Sequence, residues 1–218
     1  MDDMRAPGFG ARSRARKPKP TPAERREARS HVDDPAAVLE SGARFLEARP
    51  RSVAEVRRKL NRLGYRPDLV AGAVDRLAEL GFLDDEAFAR AWVESRDRAK
   101  PRGEHALRRE LGLKGVDRSI VDAVLGDRRD DAMTASAGLD EPPVSPDDAA
   151  AERLLRRKLA PILRETDPRR RLQRAYALLA RNGFGPDVCS AVSRRVLADV
   201  DAEDVAGDDE GGFGLTEI

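Results

Sequence analysis

The chain has 218 residues, 40% hydrophobic and 37% charged, with 41 Lys and Arg against 40 Asp and Glu for a net charge of +1. One cysteine excludes an internal disulfide, two histidines leave no set for a zinc site or a catalytic dyad, and no apolar run reaches membrane length or makes a signal-peptide core. A cytoplasmic protein without metal, cofactor or membrane contact is expected, with a slim core under a surface crowded with ions.

Residues 1–34 read as a disordered basic arm: from Arg5 to Arg29 there are nine Lys or Arg against two acids, interleaved with Pro, Gly and Ala and without apolar periodicity. Asp34-Pro35 then opens a helix to about Ala48, with an oxygen at the cap and proline at the first position. From Arg51, the residues Val53, Val56, Leu60 and Leu63 keep the spacing of one helix face, with Arg58 and Arg62 opposite, up to a stop at Gly64. Pro67 starts a third helix carrying Leu69, Val70, Val74 and Leu77, which completes a first repeat over 35–82. The second repeat, 83–126, begins at Asp84-Asp85-Glu86 with a helix through about Arg98 that pairs Phe88 with Trp92; its next helix stops at Gly115, and Asp117 caps the last one. Gly126 to Pro146 is rich in Gly, Pro, Ser and acids and reads as a linker over 127–146. The third repeat, 147–199, opens at Ser145-Pro146-Asp147-Asp148 with a helix to about Arg164, in which Pro161 costs about 3 kcal/mol and predicts a kink or early end near Ala160. Its second helix stops at Gly183, and Pro186 starts its last. Residues 200–218 read as a disordered acidic tail: from Asp199 onward there are eight acids and no Lys or Arg.

Aligned on Gly64, Gly115 and Gly183, the three segments match at several positions. Leucine precedes each glycine by four residues (Leu60, Leu111, Leu179), an apolar anchor follows it (Tyr65, Val116, Phe184), and an apolar pair comes next (Leu69-Val70, Ile120-Val121, Val188-Cys189). Only glycine enters the left-handed helix stop without a Cβ penalty, so each copy reads as helix, tight turn, helix, with a further helix in front. The expected fold is all-α: an elongated tandem array of three three-helix repeats between two disordered arms of opposite sign.

Catalysis finds little support. Cys189 aligns with Val70 and Val121 and reads as core, and Asp84 to Glu86 read as a helix start in preference to a Mg²⁺ site. Arginine, by contrast, recurs in register: Arg51, Arg102 and Arg170 stand thirteen residues before the glycines, Arg57-Arg58 matches Arg108-Arg109, and Arg62 is echoed by Arg181. With Arg96, Arg98 and Lys100 they outline a basic face for phosphates. Glu55, Glu94, Glu104 and Glu110 lie nearby, and pairing on a solvated helix would use the same charges.

Ala43 to Val56, followed by Lys59-Leu60 and Gly64-Tyr65, resembles the first repeat of the RecX family. Leu77 to Ala89, Leu-Ala-Glu-Leu-Gly-Phe-Leu-Asp-Asp-Glu-Ala-Phe-Ala, is similar to that family's most specific signature, and Arg102-Gly103, Leu107, Glu110-Leu111 and Lys114-Gly115-Val116 to its second-repeat pattern. The resemblance covers about residues 38–126 closely and 149–198 more loosely; Gly126–Pro146 and Pro161 depart from it. It implies a non-enzymatic regulator of the RecA recombinase, a curved helical array lying in the groove of RecA filaments, contacting DNA, and typically inhibiting strand exchange, ATP hydrolysis and coprotease activity. On this reading the partners are the RecA filament and single-stranded or duplex DNA, and the chain acts as a monomer. Arg51, Arg57, Arg58, Arg62, Arg96, Arg102, Arg108 and Arg109 are the expected contacts, and Asp84 and Asp85 order the first helix of the second repeat. Two rivals remain: an independent DNA reader using the helices from Pro67 or Arg118, and a helical scaffold for another protein.

Overall fold

The computed structural model describes residues 20–136 and 144–209, and every regular element among them is a helix. In chain order these are α1 (Pro22–Ser30), α2 (Pro35–Leu46), α3 (Val53–Leu63), α4 (Pro67–Glu79), α5 (Asp85–Ala99), α6 (Glu104–Lys114), α7 (Arg118–Ser136), α8 (Pro146–Arg157), α9 (Leu159–Leu163), α10 (Pro168–Arg181) and α11 (Pro186–Asp209). The starts follow local chemistry. Asp34 accepts the Ala36 N–H at 2.9 Å, Ser52 and Glu55 form a reciprocal capping box, and Asp84 accepts from Glu86 and Ala87 at 2.8 and 2.9 Å. The stops are glycines at φ 101° (Gly64), 82° (Gly115) and 84° (Gly183).

Three separate cores result. Val38, Val56, Leu60, Val70, Val74 and Leu77 close α2–α4; Phe88, Val93, Leu107, Leu111, Val121 and Leu125 close α5–α7; Leu155, Ala175, Leu179, Phe184, Cys189 and Val192 close α8–α11. In each, the first and third helices pack together and the second lies against the third. The apolar pair after each glycine stop points into its own core, which is why the pairs recur in sequence.

Four boundaries differ from the sequence expectation. The basic arm is helical over Pro22–Ser30, because Thr21 and Glu24 form a capping box, Pro22 occupies the first position, and the helix packs on α3. Helix α7 continues through Gly126 to Ser136 where a linker was expected, and Arg128 on this extension is tied to two carboxylates. Helix α8 ends at Arg157, earlier than Ala160, since Pro161 lacks the N–H that the Arg157 carbonyl would accept; the chain restarts as the short α9. Helix α11 runs on to Asp209, past the expected border at 199, and the turn across that border is held by Asp199 on Arg156 at 3.0 Å and Asp201 on Arg171 at 2.9 Å. The rest of the basic arm (1–19), the middle of the linker (137–143) and the end of the acidic tail (210–218) lie outside the described residues.

Candidate functional site

The repeats are fastened by the same joint twice. At the first, the glycine-ended C-terminus of α6 rests on the first turn of α3, so close that a Cβ on Gly115 would stand 2.5 Å from the Ala54 Cβ. The Ser52 hydroxyl and an Arg58 Nη2 both donate to the Lys114 carbonyl, at 2.7 and 2.9 Å, and Lys114 Nζ pairs with Glu55 at 2.9 Å. The Asp85 carboxylate accepts the Val53 N–H at 2.9 Å. At the second joint the C-terminus of α10 rests on the first turn of α6, and a Cβ on Gly183 would come within 2.5 Å of the Ala106 nitrogen. Gly103 N–H donates to the Asn182 carbonyl at 3.1 Å, Arg102 donates to the Asn182 side chain, and Asp147 accepts the Glu104 N–H at 2.9 Å. An acid from the first helix of one repeat thus caps the second helix of the repeat before it.

Helix α1 completes the pattern at the N-terminal end. A Cβ on Gly64 would stand 2.5 Å from the Arg26 Cγ and 2.7 Å from its carbonyl oxygen, so α1 rests on Gly64 much as a preceding repeat rests on Gly115 and Gly183.

Most of the arginines expected as contacts are engaged inside the molecule. Arg58 caps α6 and Arg51 lies over the Phe45 ring at 4.3 Å. Arg96 binds Glu110 at 2.6 Å and covers Trp92 at 4.4 Å, and Arg102 reaches Glu110 at 3.5 Å as well as Asn182. Arg108 holds Glu104 at 2.7 Å and also Asp122. Arg57, Arg62 and Arg109 are exposed with no carboxylate on them among the described residues, and Arg58, also exposed, has only the carbonyls of Leu113 and Lys114. Asp84 caps α5, whereas Asp85 serves α3 across the joint.

Three further groups were missed. Arg128 bridges Asp97 at 2.9 Å and Asp147 at 2.8 Å, linking α5, α7 and α8. Phe82, inside the most specific sequence signature, is 63% exposed while Leu83 beside it is buried, and Leu113 at the end of α6 is 72% exposed. Exposed apolar side chains of this size suit protein contacts. Cys189 is fully buried, and burial pushes its thiol up, which leaves it an inert core residue. Among the described residues no cluster of His, Cys, Asp and Glu is arranged to hold a metal ion, and no helix is long and apolar enough to cross a membrane.

The Asp85 carboxyl lies above the ordinary aspartate range: burial pushes it up, the Val53 N–H pulls it back, and the charges of Asp84 and Glu55 push it further. With the folded value above the unfolded one, the folded chain holds this proton more tightly, and the ionised group subtracts stability as pH rises through the interval between them. Asp85→Asn keeps an acceptor for Val53 without the charge and is expected to leave neutral-pH stability unchanged or higher by up to about 1 kcal/mol. Asp85→Ala strips that acceptor and is expected to cost about 1 kcal/mol. Thermal melts of both variants from acid to neutral pH check this; an Asn variant as damaged as the Ala variant at neutral pH would refute it.

Compared with known proteins, residues 39–77 match the family description "RecX, first three-helix domain" and residues 84–125 match "RecX, second three-helix domain". The chain is 35% identical over 160 residues to the regulatory protein RecX of Mycobacterium avium (strain 104), covering 73% of this chain and 83% of that one. It is 36% identical over 163 residues to the regulatory protein RecX of Mycobacterium tuberculosis (strain ATCC 25618 / H37Rv), covering 73% and 84%. The crystal structure of RecX from Lactobacillus salivarius aligns with a TM-score of 0.57 at 20% identity, over 75% of this chain and 96% of that chain, a likeness of fold.

Proposed function

The chain belongs to the RecX family, and from that membership we propose that it is a cytoplasmic, monomeric regulator that binds the RecA filament on DNA and restrains its recombinase, ATP-hydrolysing and coprotease activities. The observation that carries the reading is the pair of matched three-helix domains, fixed to each other and to the third by one repeated joint. A row held this way offers a filament several weak contacts at a fixed spacing, so that avidity exceeds any single patch. Arg57 and Arg109, unpaired, and the exposed rings and chains of Phe82 and Leu113 are the contacts this reading favours.

An independent major-groove reader fits less well. The helix from Pro67 buries Val70, Val74 and Leu77, and its exposed side carries Asp68, Asp75 and Glu79, with Arg76 already on Glu79 at 2.8 Å. That side would repel phosphates.

The test is the ATPase rate of pre-formed RecA filaments on single-stranded DNA, titrated with this protein, beside co-sedimentation. Inhibition with the protein in the filament pellet is expected. An unchanged rate without pelleting beyond that on DNA alone would reject the reading. Combining Arg57→Glu, Arg109→Glu and Phe82→Ala is expected to weaken inhibition at least tenfold, or about 1.4 kcal/mol, in a protein of unaltered melting temperature. Full inhibition by that variant would put the contact surface elsewhere.

A further inference from the structure

We propose that the groove between α1 and α3 binds the sugar–phosphate backbone of single-stranded DNA, with Arg25, Arg26, Arg29 and Arg62 as its phosphate ligands. The inference deepens the DNA half of the reading above and assigns it to the seam where α1, which precedes residue 39, meets α3 of the first matched domain.

Four guanidinium-bearing side chains line one open groove of about 280 Å³, together with Pro22 and Leu63 and no acid. The two acids of α1 do not offset them. Glu24 accepts the Thr21 N–H at 2.7 Å to close the capping box, and Glu27 faces His31 at 3.3 Å on the same helix. No carboxylate pairs with any of the four arginines among the described residues, and Arg29 has only the Tyr65 ring, at 5.9 Å.

Gathering like charges costs folding free energy, and where arginines cluster with acids elsewhere in this chain they are matched: Arg90 to Glu86 and Asp127, Arg108 to Glu104 and Asp122, Arg128 to Asp97 and Asp147. Yet α1 is seated closely here, with the Arg26 stem and carbonyl against Gly64. The Arg26 stem packs while its charged head stays in water. A polyanion relieves the repulsion that the protein itself leaves standing. Guanidinium forks match phosphate oxygens bidentately, and an open groove, unlike a closed pocket, lets a continuous strand run through.

The experiment uses the full chain without RecA and a labelled single-stranded oligothymidylate, with affinity measured across a salt series. Three proteins are compared: the natural sequence, one carrying Arg25→Gln, Arg26→Gln, Arg29→Gln and Arg62→Gln, and one with lysine at the same four positions. The natural protein is expected to bind with a strong salt dependence. The glutamine set is expected to lose at least tenfold in affinity at low salt and to flatten the slope of log affinity against log salt by about 3, four contacts at ~0.7 each. The lysine set, which keeps the charges, should retain most of the slope. Unchanged affinity and slope in the glutamine set would overturn the proposal while leaving DNA binding and the RecA reading intact. No binding by the natural protein at low salt would overturn it together with the DNA half, and the ATPase titration would still stand as the measure of the RecA half. A lysine set as weak as the glutamine set would make the arginines structural. Equal binding of polyglutamate would make the groove a site for acidic protein; either result would also overturn it.

Discussion

Gly103→Ala is expected to open the joint between the second and third repeats and to cost about 2–4 kcal/mol, an overpacking term of ~1–3 with a hydrogen bond of ~1 lost beside it. Gly103 sits at φ −73°, where alanine is comfortable, so backbone strain contributes nothing. The whole effect comes from a methyl group driven into the Gly183 carbonyl and the Phe184 nitrogen, backbone atoms that move only if α10 moves, and from the N–H bond to Asn182 that is then stretched. Gly183→Ala is expected to cost more, since alanine there carries about 1–2 kcal/mol of left-handed strain as well. Gly126→Ala is the control: it lies within α7 with open space around its Cβ and is expected to stabilise by about 0.5–1 kcal/mol. Denaturant unfolding gives the free energies, and amide exchange should show faster opening around Gly103 and Asn182. If Gly103→Ala matched the natural protein in both, the joint would not be a tight one.

Arg128→Met is expected to destabilise by about 2–4 kcal/mol. Its side chain is 10% exposed and its two partners, Asp97 and Asp147, are part-buried, so removing the cation leaves two carboxylates facing each other in a poorly solvated place. The upper end of the usual range is discounted because Asp97 keeps some contact with water, at 26% exposure. Burial pulls the Arg128 guanidinium down, and the hydrogen bonds to Asp97 and Asp147 more than reverse this, which is the same balance seen from the cation. Asp97→Asn in the Arg128→Met background is expected to recover part of the loss, a non-additivity that a double-mutant cycle reads directly. Strict additivity would mean that the pair does not act as a unit.

Whatever rests on local chemistry was legible in the sequence. The stops at Gly64, Gly115 and Gly183, the caps at Asp34, Asp84, Asp117 and Ser145, and the core pairs after each glycine are set by residues a few positions apart. The basic surface was less legible, because the acids that neutralise it come from elsewhere: Asp122 folds over Arg108 from fourteen residues away, Glu110 over Arg96 from the same distance. Arg58 reaches a carbonyl 56 residues on, and no periodicity marks a partner at that range. Arg128 falls within a stretch that reads as linker, since Gly126 before it and the Gly, Pro and Ser content after it outweigh the helical pattern. Helix α1 was legible in principle, as Thr21-Pro22-x-Glu24 has the form of a capping box, but the surrounding Pro, Gly and Lys content argued for a disordered arm.

The seat of α1 on Gly64 also bears on self-association. A joint that fastens one repeat to the next head to tail is a heterologous interface, and such an interface, if left open at both ends of a molecule, propagates from copy to copy into an open fibre. The end marked by Gly64 is the one a preceding repeat of another copy would occupy, and α1 already fills it with a helix of the same chain. One short helix of the same chain thus covers the seat through which a further repeat would add at that end.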